Sequence, residues 1–342
     1  MSLRRAIDIA IGGEDVPGPV LEAAFGEIMD GDAANAQIAA LLVALRAKGE
    51  SVEEIVAAAR AMRSRAETAP APVDPRTVDT CGTGGDGRGT FNISTAAAFA
   101  VAGAGVPVAK HGNRAASSRT GSFDVLEALG VRVDLPVAVG AALLAEIGIA
   151  PFYARVAHPA MRFMAPVRQE LGLRTLMNCL GPLLNPVGAR FQLVGVYTAE
   201  LVETLADALG RLGSRRALVV HGSDGLDEIT TTGPTAAALT DGGKVERIEI
   251  DPAALGLPKA KAGDLDGGDA AESAEIVRAV LGGEKGPHAD VVALNAGAAL
   301  WVAEAAPDLA AGLAAARKSL ESGAALDRLE ALVVRSNEIA PG

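Results

Sequence analysis

Over residues 35–46 the apolar side chains Ile38, Leu41, Leu42 and Leu45 recur at i, i+3, i+4 and i+7, the spacing that gathers them on one face of a helix. That helix should stop near Gly49. Ser51-Val52-Glu53-Glu54 reads as a capping box, and Ile55, Ala58, Ala59 and Met62 carry a buried stripe into a second helix that ends before the prolines of 70–75. The first seventy or so residues are therefore predicted to be helical. Beyond Pro75 the pattern changes to short strand-like runs at 77–80, 106–109, 193–197, 217–221 and 291–294, alternating with helical windows. Such alternation is the pattern of crossover connections in a mostly parallel sheet. The chain is thus expected to be α/β, with a small helical domain beside a large, mostly parallel-sheet α/β domain.

With 342 residues, 49% of them hydrophobic, the chain is long enough for two domains and a large core. Aromatics make up only 3%, so packing must rest on small and branched aliphatics, as in many helix-covered parallel sheets. A formal net charge of -11 argues against broad nucleic-acid affinity but not against a confined anion pocket. Only Cys81 and Cys179 are present, which excludes a disulfide framework and a four-thiolate metal site; reduced thiols in a cytoplasmic protein are expected. The start of the chain acquires Asp8, Glu14 and Asp15 before any long apolar core, so it does not read as a signal peptide, and no segment reads as a membrane span.

Chemistry concentrates in residues 79–126. Gly82, Gly84, Gly85, Gly87 and Gly89 follow the run at 77–80, where a loop of main-chain N–H groups free of Cβ atoms can approach phosphate oxygens. Asn92-Ile93-Ser94-Thr95 then opens an alanine-rich stretch, predicted helical to about Gly103, whose N-terminus also favours anions. The run at 106–109 is followed by Lys110-His111-Gly112-Asn113-Arg114, then Ser117, Ser118, Arg119 and Ser122, with a helix from Asp124 to about Leu129. Two glycine-bearing polar loops after two successive strands make a local anion site of the kind found in the crevice of an open α/β sheet.

CGTGGD (81–86), TFNIST (90–95), KHGNRAASS (110–118), GSFD (121–124), LGPLLNP (180–186) and GSDGLDEIT (222–230) occur in order, with HPAMRFMAPVRQELGLRT (158–175) and GDLDGGDAAESAEIVRAVLGGEKGP (263–287) between and after them. By these motifs, which span nearly the whole chain, the sequence resembles the anthranilate phosphoribosyltransferase family. The resemblance implies a nucleoside phosphorylase/phosphoribosyltransferase-like fold. It implies that residues 163–185 join residues 1–70 in the helical domain, leaving 71–162 and 186–342 to the α/β domain, and that two copies pair as a homodimer through the helical part. It implies transfer of the phosphoribosyl group of 5-phosphoribosyl 1-diphosphate to the amine of anthranilate in tryptophan biosynthesis, with Mg²⁺ as cofactor and no nucleic-acid or membrane partner.

Carried over residue by residue, the resemblance assigns the phosphoribosyl diphosphate to Gly82, Gly85, Asp86, Thr90, Asn92, Ile93, Ser94, Thr95, Lys110, His111, Gly112, Asn113, Arg114, Ala115, Ala116, Ser117, Ser118 and Ser122. It assigns anthranilate to Gly82, Asn113 and Arg168, and the metal to Ser94, Asp227 and Glu228. Chemistry agrees with the types. A highly anionic leaving group calls for a divalent cation held by hard oxygens, and a planar guanidinium suits an aromatic carboxylate. Adjacent carboxylates on a regular strand face opposite sides, so Asp227 and Glu228 can converge only from an irregular loop. Without the family pattern Arg162, Arg168 and Arg174 have equal claims to the acceptor. His111 is the candidate catalytic histidine, with His158 a second ring near the expected cleft. Phe123 stands where the family commonly has a small residue.

Two rival readings differ in class. A pyrimidine nucleoside phosphorylase shares the architecture but has different pocket motifs and a further C-terminal domain for which this chain lacks the length. A non-catalytic nucleic-acid-binding homologue is disfavoured by the acidity and the intact motifs.

Overall fold

Ser51 starts its helix as a capping box should. Its hydroxyl accepts the Glu54 N–H, and the Glu54 carboxylate returns to the Ser51 N–H at 2.8 Å. The fully buried carboxylate of Glu54 also takes the Val16 N–H at 2.8 Å and the Lys48 ammonium at 2.7 Å, tying the approach to one helix and the end of a second to the start of a third. These are α2 (Gly18–Met29), α3 (Asn35–Lys48) and α4 (Val52–Arg63), preceded by α1 (Ser2–Ile11). The computed structural model describes residues 2–115, 120–261 and 263–339. Among them no helix is long and apolar enough to cross a membrane.

The remaining chain builds β1 (Val78–Asp79), α5 (Ile93–Gly103), β2 (Val108–Gly112), α6 (Ser122–Ala128), α7 (Val137–Ile147) and β3 (Ile149–Tyr153). It then passes through α8 (Ala154–Ala157) and α9 (Ala165–Leu171) to β4 (Phe191–Gly195), α10 (Leu201–Arg211), β5 (Arg216–Gly222), β6 (Thr235–Asp241) and β7 (Lys244–Ile250). Four helices close it: α11 (Ala270–Leu281), α12 (Pro287–Val302), α13 (Leu309–Glu321) and α14 (Ala324–Glu338).

One seven-stranded sheet runs in the order β3-β2-β1-β4-β5-β6-β7. The pairings from β3 through β5 are parallel, while β5-β6-β7 is an antiparallel meander. The order reverses between β1 and β4: the chain winds outward through β2 and β3, then returns to the other side of β1. Ligand crevices of open α/β sheets form at such a switch, outside the carboxyl ends of the strands.

Met164, Val167, Leu176, Met177 and Leu183 share a core with the first four helices and with one face of α10. The other large core lies between the sheet and helices α5, α11, α12, α13 and α14.

Three features depart from the expected pattern. The run at 291–294 is not a strand but part of α12, where every residue from Val291 to Leu300 is buried; a helix apolar all round has no face to reveal its period. β3 lies outside the expected strand set. So does the β6–β7 hairpin, whose Gly242-Gly243 turn takes positive φ at both positions, the geometry that matches strand twist.

Removing the Glu54 carboxylate strands the buried Val16 N–H and the part-buried Ser51 N–H, and leaves the enclosed Lys48 ammonium with only the exposed Asp15 as a charged partner. Glu54→Ala should therefore lower stability to urea by about 3 kcal/mol, and Glu54→Gln by less. A midpoint for the alanine variant equal to wild type would contradict this role.

Candidate functional site

The glycine loop leaves β1 and is pinned at once to the end of β4. Thr83 donates its N–H to the Gly195 carbonyl at 2.8 Å, and its hydroxyl accepts the Tyr197 N–H at 3.1 Å. Gly84, Gly85, Gly87 and Gly89 all have positive φ, a backbone that L side chains resist. The loop's far side lies under the 263–269 segment: Gly267 donates to the Gly89 carbonyl at 2.8 Å, and Thr90 bridges Asp266. Asn92 then turns through left-handed space and α5 begins. Ile93 and Thr95 are fully buried beneath the loop, so their side chains serve the core. The Ser94 N–H, expected to face phosphate, instead donates to Glu228 Oε1 at 3.0 Å, so the start of α5 is occupied by a carboxylate of the same site.

β2 ends in Lys110-His111-Gly112. Lys110 is 3% exposed, its ammonium 3.4 Å from both the Thr80 and Ser94 hydroxyls. A buried cation needs negative charge nearby, and it stands close enough to Asp79 and Glu228 to favour both ionised carboxylates. Burial still raises Asp79 to about 6, against the Asn185 amide, Lys110 and the His111 N–H. Asn185 donates to Asp79 Oδ2 and to the Ala109 carbonyl, both at 2.9 Å, and so fastens the 181–185 segment to the end of β1 and to β2. A carboxylate oxygen of Asp79, the Cys81 sulfur and a His111 ring nitrogen lie within 4.8 Å of one another. Asp79 is already engaged there by Asn185 and by the His111 main chain. Cys81 and Cys179 are both free and buried.

His111 and His158 meet edge to face with centroids 5.3 Å apart. Burial first, and for His111 the second imidazole, depress them to about 3 and about 4, so both are neutral near pH 7. His111 Nδ1 lies 3.1 Å from the Gly181 carbonyl, which as the ring's N–H partner leaves Nε2 as a lone pair; that atom is buried without a partner among the described residues. Neither His158 nitrogen completes a hydrogen bond with a described residue, although the Leu184 carbonyl on that side favours its charged form.

Beyond β2, Asn113 is exposed, and its side-chain oxygen accepts the Arg114 N–H at 2.9 Å. Arg114 turns its guanidinium to Glu127 and over the Tyr153 ring, so its charge is paired away from the loop. Asp124 Oδ2 gathers the N–H groups of Ala115 and Gly121 at 2.9 and 2.8 Å, closing the loop on itself. Ser122 Oγ lies 3.5 Å from the Asn113 carbonyl. Ala116, Ser117, Ser118 and Arg119 lie outside the described residues. Phe123 is fully buried, stacked on Tyr153 at 5.1 Å. A Cβ added at Gly112 would stand 2.8 Å from its ring, so the bulky residue is accommodated against a glycine.

Asp227 and Glu228 sit in the irregular loop after β5, as their convergence requires. The loop comes so close to β4 that a Cβ at Gly195 would lie 1.5 Å from the Asp227 carbonyl oxygen. Gly82 is less tightly constrained: a Cβ there would stand 3.0 Å from the Gly195 carbonyl and 3.4 Å from Asp227 Oδ2. Asp224 Oδ2 accepts the hydroxyls of Thr230 and Thr232 at 2.6 Å each, folding the loop back. Asp227 and Glu228 retain partial solvent access, as cleft walls do, yet close packing raises both carboxyl pKa values. Asp86 adds repulsion to each, while Lys110 and the Ser94 N–H work the other way on Glu228. Asp86, Asp227 and Glu228 thus lie close enough to repel one another, with Lys110 favouring the ionised form of Glu228; the Asp227 and Glu228 carboxylates are hard-oxygen donors of the kind Mg²⁺ takes.

The three arginines separate. Arg162 lies over the Phe163 ring at 4.6 Å. Arg174 donates to the Gly85 carbonyl and stacks over Tyr197 at 4.5 Å, joining the 172–175 turn to the glycine loop. Arg168 is half-buried, held below its ordinary pKa by that burial, and has no carboxylate partner among the described residues. The resemblance gives the acceptor to Arg168 and leaves Arg174 without a role, and it assigns none to Asn185 or Asp224. The only local signals were an Asn between Leu184 and Pro186, and an Asp between Ser223 and Gly225.

Residues 74–326 match the α/β domain of a glycosyl transferase family, and residues 4–66 its helical bundle domain. The chain is 56% identical over 310 residues to the anthranilate phosphoribosyltransferase of Rhodospirillum rubrum, across 91% of this chain and 89% of that protein. It is 54% identical over 331 residues to that of Moorella thermoacetica, across 97% of each. The crystal structure of the Thermus thermophilus enzyme superposes with a TM-score of 0.91 at 45% identity, over 97% of this chain and 99% of that one. The Saccharomyces cerevisiae enzyme in complex with PRPP and Mg gives 0.89 at 26% identity, over 98% of both. By fold, site and sequence, this chain belongs to the anthranilate phosphoribosyltransferases of that glycosyl transferase family.

Proposed function

We propose that the chain transfers the phosphoribosyl group of 5-phosphoribosyl 1-diphosphate to the amine of anthranilate, giving N-(5-phosphoribosyl)anthranilate and diphosphate in tryptophan biosynthesis. The observation that carries the reading is the charge arrangement at the carboxyl edge of the sheet: buried Lys110 beside the Ser94 hydroxyl, with Glu228 on the Ser94 N–H and Asp227 adjoining the glycine loop.

In this reading the glycine loop and the residues after β2 hold the donor: Gly82, Gly85, Asp86, Thr90, Asn92, Ser94, Lys110, His111, Gly112, Asn113 and Ala115 line its path, with Ser122 beyond. Ile93 and Thr95 contribute by fixing the start of α5. Arg114 acts through the loop main chain, its side chain being paired with Glu127. Asp227, Glu228 and Ser94 hold Mg²⁺, which neutralises diphosphate as it departs. Lys110 adds fixed positive charge on the same side, stabilising the charge that develops when the anomeric C–O bond breaks.

Arg168 takes the anthranilate carboxylate, with Gly82 and Asn113 completing the acceptor side. A guanidinium without an internal carboxylate partner is free to form the bidentate pair. The acceptor amine carries a lone pair at neutral pH, so orientation does more than base catalysis. His111 and His158, both neutral, offer hydrogen bonds rather than charge.

We also propose the division of the chain into residues 1–70 with 163–185 as the helical domain and the rest as the α/β domain, on the shared core of the first four helices with Met164 through Leu184. Pairing of two copies through the helical part is proposed from the family resemblance. The buried free thiols are in keeping with a cytoplasmic location.

With donor and Mg²⁺ present, anthranilate fluorescence should fall in proportion to enzyme, and chelation should stop the loss; constant fluorescence across a wide range of enzyme would refute the assignment. Arg168→Ala should raise the KM for anthranilate at least about tenfold while leaving that for the donor within about twofold. Equal loss on both substrates would remove Arg168 from the acceptor side. Light scattering should give twice the chain mass, and a monomer at micromolar concentration would rule out the pairing.

A further inference from the structure

We propose that Asn295, inside α12, is a positioning residue that holds the Asp227-Glu228 pair in its working geometry. The inference rests on the reading that those carboxylates hold the metal.

Asn295 is fully buried. Its Oδ1 accepts the Ile229 N–H at 3.0 Å, and its Nδ2 donates to the Ile229 carbonyl at 2.8 Å. The second Nδ2 proton goes to the Val291 carbonyl one helical turn back, at 2.9 Å. The amide's orientation follows from this chemistry: turned over, it would set NH₂ against N–H and oxygen against two carbonyls. One side chain thus grips both polar groups of a single backbone residue, as a neighbouring strand would.

That grip answers a need of the loop. Between β5 and β6 the chain leaves the ladder to bring its carboxylates together, yet Ile229 is fully buried, so water cannot serve its N–H and C=O. Two fixed points bracket the acidic pair. On one side the Asp227 main chain rests on Gly195, closer than any Cβ allows. On the other, Ile229 is clasped by Asn295, and Thr230 donates its N–H to the Thr235 hydroxyl at 3.1 Å. Glu228 lies between them, reaching the Ser94 N–H. α12 also packs on α5, the helix that presents Ser94, so one helix sets the spacing of both parts. Losing the clasp leaves a buried donor and acceptor unpaired beside Glu228, and the loop must move to hydrate them.

The test compares wild type with Asn295→Leu, which keeps the branched skeleton without its polar atoms, and Asn295→Ser, which is smaller and supplies one hydroxyl, so that one misfolded variant does not end the experiment. Val292→Ala, a fully buried change in the same helix, controls for general loosening. Mg²⁺ binding to the donor-bound protein is measured by calorimetry, hydrogen exchange at the Ile229 amide in the metal-free protein, and KM for anthranilate by assay. Both Asn295 variants should bind Mg²⁺ about 10- to 100-fold more weakly and exchange Ile229 at least about tenfold faster, with anthranilate KM within about twofold. Val292→Ala should lower the thermal midpoint while leaving metal affinity and Ile229 exchange near wild type. Unchanged metal affinity in both Asn295 variants, or an equal fall in Val292→Ala, would overturn the positioning role. A wild-type protein that binds donor without regard to Mg²⁺ and forms no product would overturn the functional reading itself, which the variants alone cannot do.

Discussion

The site is organised around one ammonium group that cannot leave. Lys110 is buried at the end of β2, where solvation is denied to it, and every anionic group nearby is placed in relation to it. Asp79 lies at the end of the adjoining strand, and Glu228 reaches in from the loop after β5. Asp227, beside Asp86, carries the negative charge that Lys110 does not balance, and close packing raises its pKa. The result is a pocket biased both ways, with a cation and N–H donors suited to phosphate and a surplus of carboxylate suited to a divalent ion. A magnesium diphosphate satisfies both at once, which a lone anion or a lone cation does not.

Holding like charges together requires a rigid frame, and backbone contact supplies it. Gly195 and the Asp227 carbonyl approach so closely that any side chain is excluded at Gly195, and a side chain at Gly82 would press on the Gly195 carbonyl. Strand order makes this possible: β1 and β4 are neighbours at the reversal of the sheet, so loops from two distant parts of the chain emerge side by side. From the helical side, Asn185 reaches Asp79, the Gly181 carbonyl meets His111, and Arg174 meets the Gly85 carbonyl. The 172–185 segment is thereby registered on the glycine loop and the ends of β1 and β2 by polar contacts that add to the apolar core it shares with the sheet.

Much of this was legible in the sequence because it was local. The heptad-like spacing of Ile38, Leu41, Leu42 and Leu45, the Ser51–Glu54 box and the glycine runs after β1 each encode their structure within a few residues. The need for an irregular loop at Asp227-Glu228 also followed from strand geometry alone. What escaped was non-local or without period. Val291 to Leu294 gave no helical signature because α12 is buried on every side, and the strand reading hid Asn295. The capture of the Ser94 N–H by Glu228 joins residues far apart in the chain, and the pairing of Arg114 with Glu127 competes with the phosphate role its motif suggests. By residue chemistry alone Arg168 could not be told from Arg162 and Arg174; the family motif separated them, and the structure shows what the other two touch.

The question is best put to crystals grown with 5-phosphoribosyl 1-diphosphate and Mn²⁺ in place of Mg²⁺, with the metal located by its anomalous diffraction. A metal peak is expected that is joined to Asp227 or Glu228, directly or through one water, with diphosphate oxygens between that peak and the glycine loop and Lys110 on the same anion. Metal and diphosphate bound together away from the ends of β1, β2 and β5, with Glu228 still on the Ser94 N–H and Asp227 still beside Asp86, would show that the pocket is built for something else.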